Sequence, residues 1–319
     1  MTEKILEIKR LSKYFYLSRN RVLRAVDEVT LDVRKGETFG LVGESGCGKS
    51  TLGRTIKGIY KPTGGQVFFE GTDIATYNKE QLKRYMRFMQ IIFQDPYSSL
   101  NPRMTVKELI AEGLEIHGMG TKKEREQKVF EVLEKVGLNP EHVTRFPHEF
   151  SGGQRQRLAI ARALAVEPRF IICDEPISAL DVSIQGQIVN LLKELQKTYG
   201  LTYLFIAHDL SMVKYISDRV GVMYMGRLVE LADKKELFAN PKHPYTQALL
   251  SSIPIPKPHL ERQRREIPIS GEIPSPLEQI AGCSFKTRCQ YRTSRCDHME
   301  KRLVDVGRGH LVMCTLYQN

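Results

Sequence analysis

The sequence has no apolar stretch close to the roughly 20 residues that a membrane-spanning helix needs. The segment Met1-Thr2-Glu3-Lys4 also lacks the charged and apolar pattern of a secretory signal. Yet 41% of the 319 residues are hydrophobic, enough to fill the core of one large α/β domain with a small appendage. We therefore expect an intracellular chain that does not itself cross a membrane.

The formal net charge is +11 at pH 7, but the combination of aromatic and basic residues typical of a nucleic-acid-binding module is missing. Basic residues are instead spread along the whole chain. Such a charge suits a solvated surface, or a surface that lies close to anionic lipid headgroups. We expect no nucleic-acid partner.

A glycine-rich loop with the pattern G-x-x-x-x-G-K-S follows the apolar strand 38–42 and opens a predicted helix from Ser50 to Tyr60. Glycine lets successive backbone N–H groups turn toward a phosphate, and the helix N-terminus adds positive potential. Lys49 can reach the β- and γ-phosphates, and the Ser50 hydroxyl can bind Mg²⁺. The candidate nucleotide-binding residues are Gly43, Glu44, Ser45, Gly46, Cys47, Gly48, Lys49, Ser50 and Thr51.

Two adjacent carboxylates end a second apolar run. Residues 168–173 are typical of a buried strand, which would present Asp174 and Glu175 at its C-terminal edge. We expect Asp174 to help hold Mg²⁺. Glu175 is expected to act as general base on the water that attacks the γ-phosphate, because phosphoryl transfer needs an oriented nucleophile.

Two more polar residues follow apolar strands at the same predicted edge. His208 comes after 202–207 and is expected to bond the γ-phosphate, although a lone histidine is often a structural residue. Gln94 comes after 89–93 and is expected to reach Mg²⁺ or the attacking water; its alternative is a strand-end cap.

The segment F-S-G-G-Q-R-Q-R, residues 150–157, predicts a second anion site. Ser151 is a good N-cap, Gly152 and Gly153 leave backbone N–H groups open, and a helix from Gln154 to Val166 follows. A protein gains from two anion sites when they close on one nucleotide from opposite sides. The sequence thus predicts two nucleotide domains that face each other head to tail.

In their order along the chain, these segments and S-A-L-D at 178–181 resemble the ATP-binding cassette family over residues 4 to 250. The resemblance implies an α/β fold with a phosphate-loop NTPase core and a mixed, mostly parallel sheet. It also implies an N-terminal antiparallel β subdomain and a helical signature subdomain at about 98–166. Within that stretch, Thr121 with Glu124 is typical of a capping box, and Gly137 is expected to close the helix that follows. One nucleotide-binding domain then spans 1–250, and ATP with Mg²⁺ is the expected cofactor pair.

The same resemblance implies functions for residues that lie outside the phosphate loop. Ser151, Gly152, Gly153 and Gln154 would act in trans on ATP held by a second ATPase subunit, and Asp181 would link the two sites. Phe15 would stack on adenine. Tyr14 and Tyr16 flank Phe15, and an amphipathic edge strand with no ligand is the alternative for that segment.

The C-terminal residues 251–319 predict a proline-rich linker and a small cysteine-rich module. Cys47 is a small residue inside the phosphate loop and Cys173 belongs to a predicted buried strand, so neither needs a metal to explain it. The other four cysteines are crowded into a short tail, and their spacing leaves three options: a [4Fe–4S] cluster, zinc without its usual C-x₂-C knuckles, or free thiols. They are Cys283, Cys289, Cys296 and Cys314.

Segments 94–103, 243–246, 271–276 and 283–289 narrow the resemblance to the ATP-binding subunits of oligopeptide and dipeptide importers. This implies two transmembrane permease subunits, a second identical or related ATPase, an extracytoplasmic solute-binding protein, and a position at the cytoplasmic face of the cell membrane. It also favours the [4Fe–4S] cluster over zinc. Nickel, glutathione and sugar oligomers are alternative substrates within the same subfamily.

A soluble cassette ATPase that acts on ribosomes, nucleic acid or metal-cluster assembly is the alternative from another class. The chain lacks a second cassette, and it lacks long heptad repeats between the phosphate loop and the 150–157 segment. Both absences argue against the translation and DNA-repair versions of this alternative.

Overall fold

The structure is a computed structural model that describes residues 3–18, 21–253, 267–269 and 271–318. Residues 254–266, where the sequence predicts the linker, lie outside the described residues. The strands are β1 (Lys4–Ser18), β2 (Arg21–Arg34), β3 (Thr38–Val42), β4 (Gly64–Phe69), β5 (Thr72–Asp73), β6 (Met89–Ile92), β7 (Phe170–Asp174), β8 (Thr202–Ile206), β9 (Arg219–Tyr224), β10 (Arg227–Asp233), β11 (Val304–Asp305) and β12 (Leu311–Val312). The α-helices are α1 (Lys49–Ile56), α2 (Lys79–Phe88), α3 (Pro96–Ser99), α4 (Val106–Ile116), α5 (Lys122–Lys135), α6 (Gly152–Ala165), α7 (Val182–Tyr199), α8 (Leu210–Ile216), α9 (Lys234–Ala239) and α10 (Pro244–Ser251).

The chain forms two compact units. The first contains Val33–Glu37 and Phe68–Ile206 together with the N-terminal residues through Leu6. The second contains Glu7–Asp32, Thr38–Val67 and Ala207–Asn319. The predicted boundary near residue 250, between the nucleotide-binding domain and the cysteine-rich module, does not coincide with the division between these two units. It stays a prediction.

Three parallel strands and a group of helices make up the core of the first unit. β6 pairs with β7, and β7 pairs with β8, so that Cys173 stands opposite Phe205. All five residues of β7 and of β8 are buried, as expected for parallel strands covered on both faces. Helices α4 and α5 pack against α6.

Local capping signals set the helix boundaries in the first unit. The predicted capping box at Thr121 and Glu124 is confirmed: the Thr121 hydroxyl accepts from the Glu124 N–H, and the Glu124 carboxylate accepts from the Thr121 N–H. Helix α5 ends at Lys135, and Gly137 follows it with a left-handed φ of 71°. The predicted helical stretch at 98–166 thus consists of short helices with their own caps.

The second unit contains a mixed sheet. β9 is parallel to β3 and antiparallel to β10, and β10 also pairs with β12. β12 in turn pairs with β11, so the C-terminal residues extend the same ladder of strands. These pairings and the parallel strands of the first unit confirm the predicted α/β class with a mixed, mostly parallel sheet.

A separate sheet of four N-terminal strands has the order β2-β1-β4-β5. Alternate residues of β1 and β2, including Leu6, Ile8 and Val33, are fully buried, which is typical of a sheet with one face against a core. This sheet is the predicted N-terminal β subdomain. In the described ranges, no helix has both the length and the apolar character needed to cross a membrane.

The helix after the phosphate loop is shorter than predicted. The sequence predicts Ser50 to Tyr60, whereas α1 ends at Ile56. Gly58 adopts a left-handed φ of 84°, and the N–H groups of Ile59 and Tyr60 both donate to the Arg54 carbonyl. The glycine therefore terminates the helix, and the two bonds to the Arg54 carbonyl cap its last turn.

Candidate functional site

The phosphate loop lies between β3 and α1 in the second unit, and two of its glycines are irreplaceable on steric grounds. Gly43 has φ 153° and Gly48 has φ 106°, both outside the range that other residues adopt easily. A Cβ atom on Gly43 would lie 2.2 Å from the Met223 carbonyl oxygen, and one on Gly48 would lie 2.0 Å from the Ala25 carbonyl oxygen. The loop is thus packed directly against neighbouring backbone.

The Lys49 ammonium lies inside the concave side of this loop. Its Nζ donates to the carbonyl oxygens of Gly43 at 2.8 Å and of Glu44 at 3.1 Å, and the side chain is only 4% exposed. Helix α1 starts at the same residue and has no acidic residue in its first turn. A buried cation and a helix N-terminus together favour binding of an anion.

Glu44 is held by two residues from the C-terminal third of the chain. Its backbone N–H donates to the Tyr245 hydroxyl at 2.9 Å. Its carboxylate accepts two bonds from Arg288, with Nη1 at 2.9 Å from Oε2 and Nη2 at 3.1 Å from Oε1. This bidentate pair is a strong form of ion pair because both bonds are charge-assisted.

The predicted adenine-stacking segment lies in β1. The Phe15 ring is half-buried and meets the Tyr60 ring edge to face at a centroid distance of 5.4 Å. The Lys13 ammonium lies 4.8 Å from the centroid of the Phe15 ring. The Tyr14 hydroxyl donates to Asp27 Oδ1 at 2.6 Å and is committed to that bond. Tyr16 is 69% exposed.

His208 belongs to the same unit as the phosphate loop. It directly precedes Asp209, whose carboxylate caps α8 by accepting from the N–H groups of Ser211 and Met212. This cap fixes the backbone next to the imidazole. His208 itself is exposed.

Gln94, Asp174 and Glu175 belong to the first unit, and two of them are in direct contact. Gln94 Nε2 donates to Glu175 Oε2 at 3.1 Å. Glu175 has a left-handed φ of 50°, and its N–H donates to the Ile206 carbonyl oxygen at 3.0 Å. Such a backbone conformation is strained for a non-glycine residue, and strain of this kind concentrates at functional sites.

Two of the three predicted Mg²⁺ ligands come from this part of the structure. Asp174 is the last residue of β7, and only 1% of its surface is exposed. Because the Gln94 amide nitrogen is bonded to Glu175, the amide oxygen is left as the donor for a cation. A carboxylate and an amide oxygen are hard ligands of the kind Mg²⁺ prefers, so these residues fit the ion.

The 151–154 segment forms the N-terminus of α6. Ser151 and Gln154 make a complete capping box, and both side chains are exposed. A Cβ atom on Gly153 would lie 2.6 Å from Ile184 Cγ2, so the glycine lets α6 approach α7 closely. Asp181 occupies the N-cap position of α7, yet its side chain makes no capping hydrogen bond.

The four C-terminal cysteines lie in the second unit and line one cavity together with His243 and Phe285. All four are free thiols. Burial raises the pKa of the Cys283 thiol to about 12, and the other three thiols add to that effect. Each thiol also accepts a hydrogen bond from one backbone amide; the amides are those of Phe285, Tyr291, Thr293 and Leu316.

These thiols are not arranged around a single ion. In the ranges that the structure describes, no group of three or more His, Cys, Asp or Glu side chains could hold one metal ion. Four thiols around one cavity, with amides directed at the sulfurs, nevertheless suit a larger group that takes one thiolate at each of several corners.

Sequence reasoning missed three residues that connect this C-terminal region to the rest of the second unit. They are Arg288 and Tyr245, which hold Glu44, and Glu230, which is fully buried. Glu230 accepts from the N–H groups of Lys242 and His243, and its Oε1 lies 2.7 Å from His310 Nε2. The one sequence signal for Tyr245 and Arg288 is that they lie in segments 243–246 and 283–289, which resemble the ATP-binding subunits of oligopeptide and dipeptide importers.

Comparison with known proteins gives two family matches. Residues 26–178 match the family described as ABC transporter, and residues 229–296 match the family described as oligopeptide/dipeptide transporter, C-terminal region. The oligopeptide transport ATP-binding protein OppF of Bacillus subtilis (strain 168) is 65% identical over 266 residues, which is 83% of this chain and 87% of the relative. AppF, an oligopeptide transport ATP-binding protein of the same organism, is 51% identical over 322 residues, covering 99% of this chain and 98% of the relative.

Two solved structures share the cassette architecture. The cbiO1 protein of Clostridium perfringens, part of the ABC transporter complex cbiONQ, is 30% identical with a TM-score of 0.66, covering 75% of this chain and 92% of that one. The ATP-binding cassette MJ0796, in a dimeric post-hydrolysis state bound to ADP and Pi, is 29% identical with a TM-score of 0.65, covering 72% of this chain and 98% of that one.

Proposed function

Since this chain belongs to the ATP-binding cassette transporter family and is one of its ATPases, we propose that it powers the import of oligopeptides or dipeptides across a membrane. The observation that carries the substrate class is the match of residues 229–296 to the C-terminal region of oligopeptide and dipeptide transporters. That region lies outside the matched part of the cassette, so it adds information that the ATPase motifs alone do not contain.

In the proposed reaction, ATP binds with its phosphates in the loop 43–51 and its adenine on Phe15. Lys49 neutralises phosphate charge, while Ser50, Gln94 and Asp174 supply oxygen ligands to Mg²⁺. When bound, Mg²⁺ neutralises the charge that develops on the transferred phosphoryl group. Tyr14 is a poorer candidate for the adenine contact than Phe15, because its hydroxyl is bonded to Asp27.

Glu175 is proposed as the general base for the attacking water. The Gln94 amide donates to its carboxylate and so fixes the orientation of the oxygen pair. The left-handed φ of Glu175 and the hydrogen bond from its N–H to the Ile206 carbonyl oxygen support this role, because strained backbone of this kind concentrates at functional sites. Gln94 is thus both a metal ligand and a residue that positions the base.

Replacing His208 by alanine is expected to lower the rate of ATP hydrolysis while leaving ATP binding close to normal. The imidazole is proposed to bond the γ-phosphate, and the loss of one charge-stabilising donor costs about 100- to 1,000-fold in kcat. The measurement is steady-state ATPase activity of the assembled complex. His298→Ala is the matched control, since His298 is an exposed histidine of the C-terminal region. An unchanged kcat in His208→Ala would contradict the assignment.

The proposed assembly contains two ATPase subunits, two transmembrane permease subunits and an extracytoplasmic solute-binding protein, with this chain at the cytoplasmic face. Ser151, Gly152, Gly153 and Gln154 would then contact ATP held by the second ATPase subunit, and Asp181 would connect the two nucleotide sites. Support comes from the exposure of the Ser151 cap and from the Asp181 carboxylate, which is not used to cap α7.

The four C-terminal cysteines are proposed to hold a [4Fe–4S] cluster. The shared cavity and the amide hydrogen bonds to all four thiols support this choice. Zinc would need four sulfurs at about 2.3 Å from one ion, an arrangement that the described residues do not offer. When bound, the cluster supplies a covalent tie between the segments that carry the cysteines, and a one-electron redox centre.

Elemental analysis tests the cluster. Anaerobically purified protein is expected to contain about four irons and four acid-labile sulfides per chain. The Cys289→Ser/Cys296→Ser variant is expected to lose them, and Cys47→Ser, whose thiol lies in the phosphate loop, is expected to keep them. One zinc per chain, or no metal in protein kept free of oxygen, would contradict the proposal.

Copurification and uptake test the transport function. The tagged chain is expected to copurify with membrane subunits, and cells that lack it are expected to lose uptake of peptides but not of nickel or of sugar oligomers. Loss of nickel or oligosaccharide uptake, with peptide uptake unchanged, would contradict the peptide assignment and identify nickel or sugar oligomers as the substrate of this transporter. Salt-dependent RNA binding without membrane subunits would favour the soluble ATPase alternative.

A further inference from the structure

The phosphate loop has an unfavourable charge composition for a site that binds a polyanion. Between Gly43 and Thr51 it contains one basic residue, Lys49, and one acidic residue, Glu44, so the formal charges of the loop cancel. A carboxylate close to an anion site repels the ligand, and the repulsion grows where water is partly excluded. Glu44 is only partly exposed, with 22% of its side chain accessible to solvent.

Arg288 compensates this charge from a position 244 residues further along the chain. Its guanidinium makes the bidentate pair with Glu44, and its side chain is only 7% exposed. Nη1 also donates to the Tyr224 hydroxyl at 3.4 Å. Lys49, Glu44 and Arg288 together carry one net positive charge, whereas the loop alone carries none.

The backbone around Arg288 is held in place independently of the pair. Phe285 packs edge to face on Tyr224 at 5.3 Å and against Tyr245 at 5.4 Å. The Arg288 N–H donates to the Phe285 carbonyl oxygen at 3.0 Å. The guanidinium is therefore delivered to Glu44 by a packed turn, which reduces the conformational entropy that forming the pair costs.

We propose that Arg288 is a positioning residue for nucleotide binding: by pairing with Glu44 it neutralises the one acidic residue of the phosphate loop and so sets the affinity for ATP. The C-terminal cysteine-rich region is then a functional part of the nucleotide site. ATP does not contact Arg288 in this proposal. The residue acts through Glu44.

The test is a set of variants of the full chain in the assembled complex, with kcat and KM for ATP measured separately. Arg288→Ala is expected to raise KM about 5- to 10-fold, the effect of one uncompensated charge at moderate distance in a partly screened site. kcat is expected to stay within about twofold of wild type, since the reacting atoms are untouched. Arg288→Lys keeps the positive charge, so its KM is expected to stay close to the wild-type value.

The decisive variant is the double substitution Arg288→Ala/Glu44→Gln. Removing the carboxylate removes the need for the arginine, so KM is expected to return close to the wild-type value. Glu44→Gln alone leaves Arg288 uncompensated next to the loop, so its KM is expected to fall below the wild-type value. The increase in KM of Arg288→Ala is also expected to shrink at high salt, because screening weakens the repulsion. A purely structural role of Arg288 would show neither the rescue nor the salt dependence.

Arg292→Ala is the matched control, because Arg292 is 52% exposed, belongs to the same region and pairs with Asp297 instead. If Arg288→Ala does not fold, Arg288→Gln keeps a donor to Glu44 without the charge and is expected to show the same increase in KM. Wild-type KM in Arg288→Gln, or a double variant as poor as Arg288→Ala, overturns the inference.

The inference rests on ATP binding at the phosphate loop, which is part of the proposed function, and not on the transported solute. The two fail in distinguishable ways. If wild-type protein hydrolyses ATP and all Arg288 variants share its KM, only the inference is wrong. If wild-type protein does not bind ATP, the proposed function is wrong as well.

Discussion

The Glu175→Gln variant is expected to bind ATP with normal affinity and to hydrolyse it about 10²- to 10⁴-fold more slowly than wild type, the usual contribution of a general base. The amide cannot accept a proton from water at neutral pH, but it keeps the size of the carboxylate and can still bond to Gln94. Because ATP would bind without being consumed, the closed dimer of ATPase subunits is expected to accumulate.

ATPase assays and light scattering with ATP check this result. Glu194→Gln is the matched control: Glu194 is an exposed glutamate on α7 of the same unit, and its variant is expected to behave as wild type. Hydrolysis by Glu175→Gln within a few-fold of the wild-type rate would show that another group activates the water.

Replacing Ser151 by arginine is expected to abolish ATP-dependent dimerisation while leaving ATP binding at the phosphate loop intact. The side chain would fill the N-terminus of α6, where the proposal places the phosphates held by the second subunit. The bound ATP of the partner would lose both the capping hydroxyl and access to the open amides.

The loss of a helix cap by itself must be separated from the loss of the contact in trans. Thr121→Arg provides that control, because Thr121 heads the same kind of capping box at the exposed N-terminus of α5. Both substitutions are expected to cost about 1 kcal/mol of stability, but only Ser151→Arg is expected to stop dimerisation. The dimer is measured by light scattering in the Glu175→Gln background. If Ser151→Arg dimerised with ATP as the protein with Ser151 does, the role of Ser151 in trans would be wrong.

Features that depend on neighbouring residues were predicted well from the sequence. The strand before the phosphate loop, the strand that ends at Asp174, and the capping box at Thr121 are all present. Each is encoded by a short pattern: an apolar run, a run ended by acids, or a hydroxyl followed three residues later by glutamate. The predicted end of α1 at Tyr60 is wrong because Gly58, a strong C-terminal signal, ends the helix at Ile56.

Features that depend on distant residues were not predicted. The pairing of β12 with β10 involves two-residue stretches, which are too short to show a periodicity. The ion pair between Glu44 and Arg288 joins residues 244 positions apart, and no local pattern specifies it. The left-handed backbone of Glu175 and its hydrogen bond to Ile206 have no local sequence signature.

The most direct test of the account is transport itself, measured with the complex reconstituted in lipid vesicles together with its solute-binding protein. The vesicles are supplied with a labelled oligopeptide outside and ATP on the side of the ATPase subunits. The account predicts that peptide accumulates only with ATP, that peptide stimulates ATP hydrolysis, and that both activities vanish in the Glu175→Gln complex. ATP hydrolysis that proceeds at the same rate with or without peptide and moves none would contradict it.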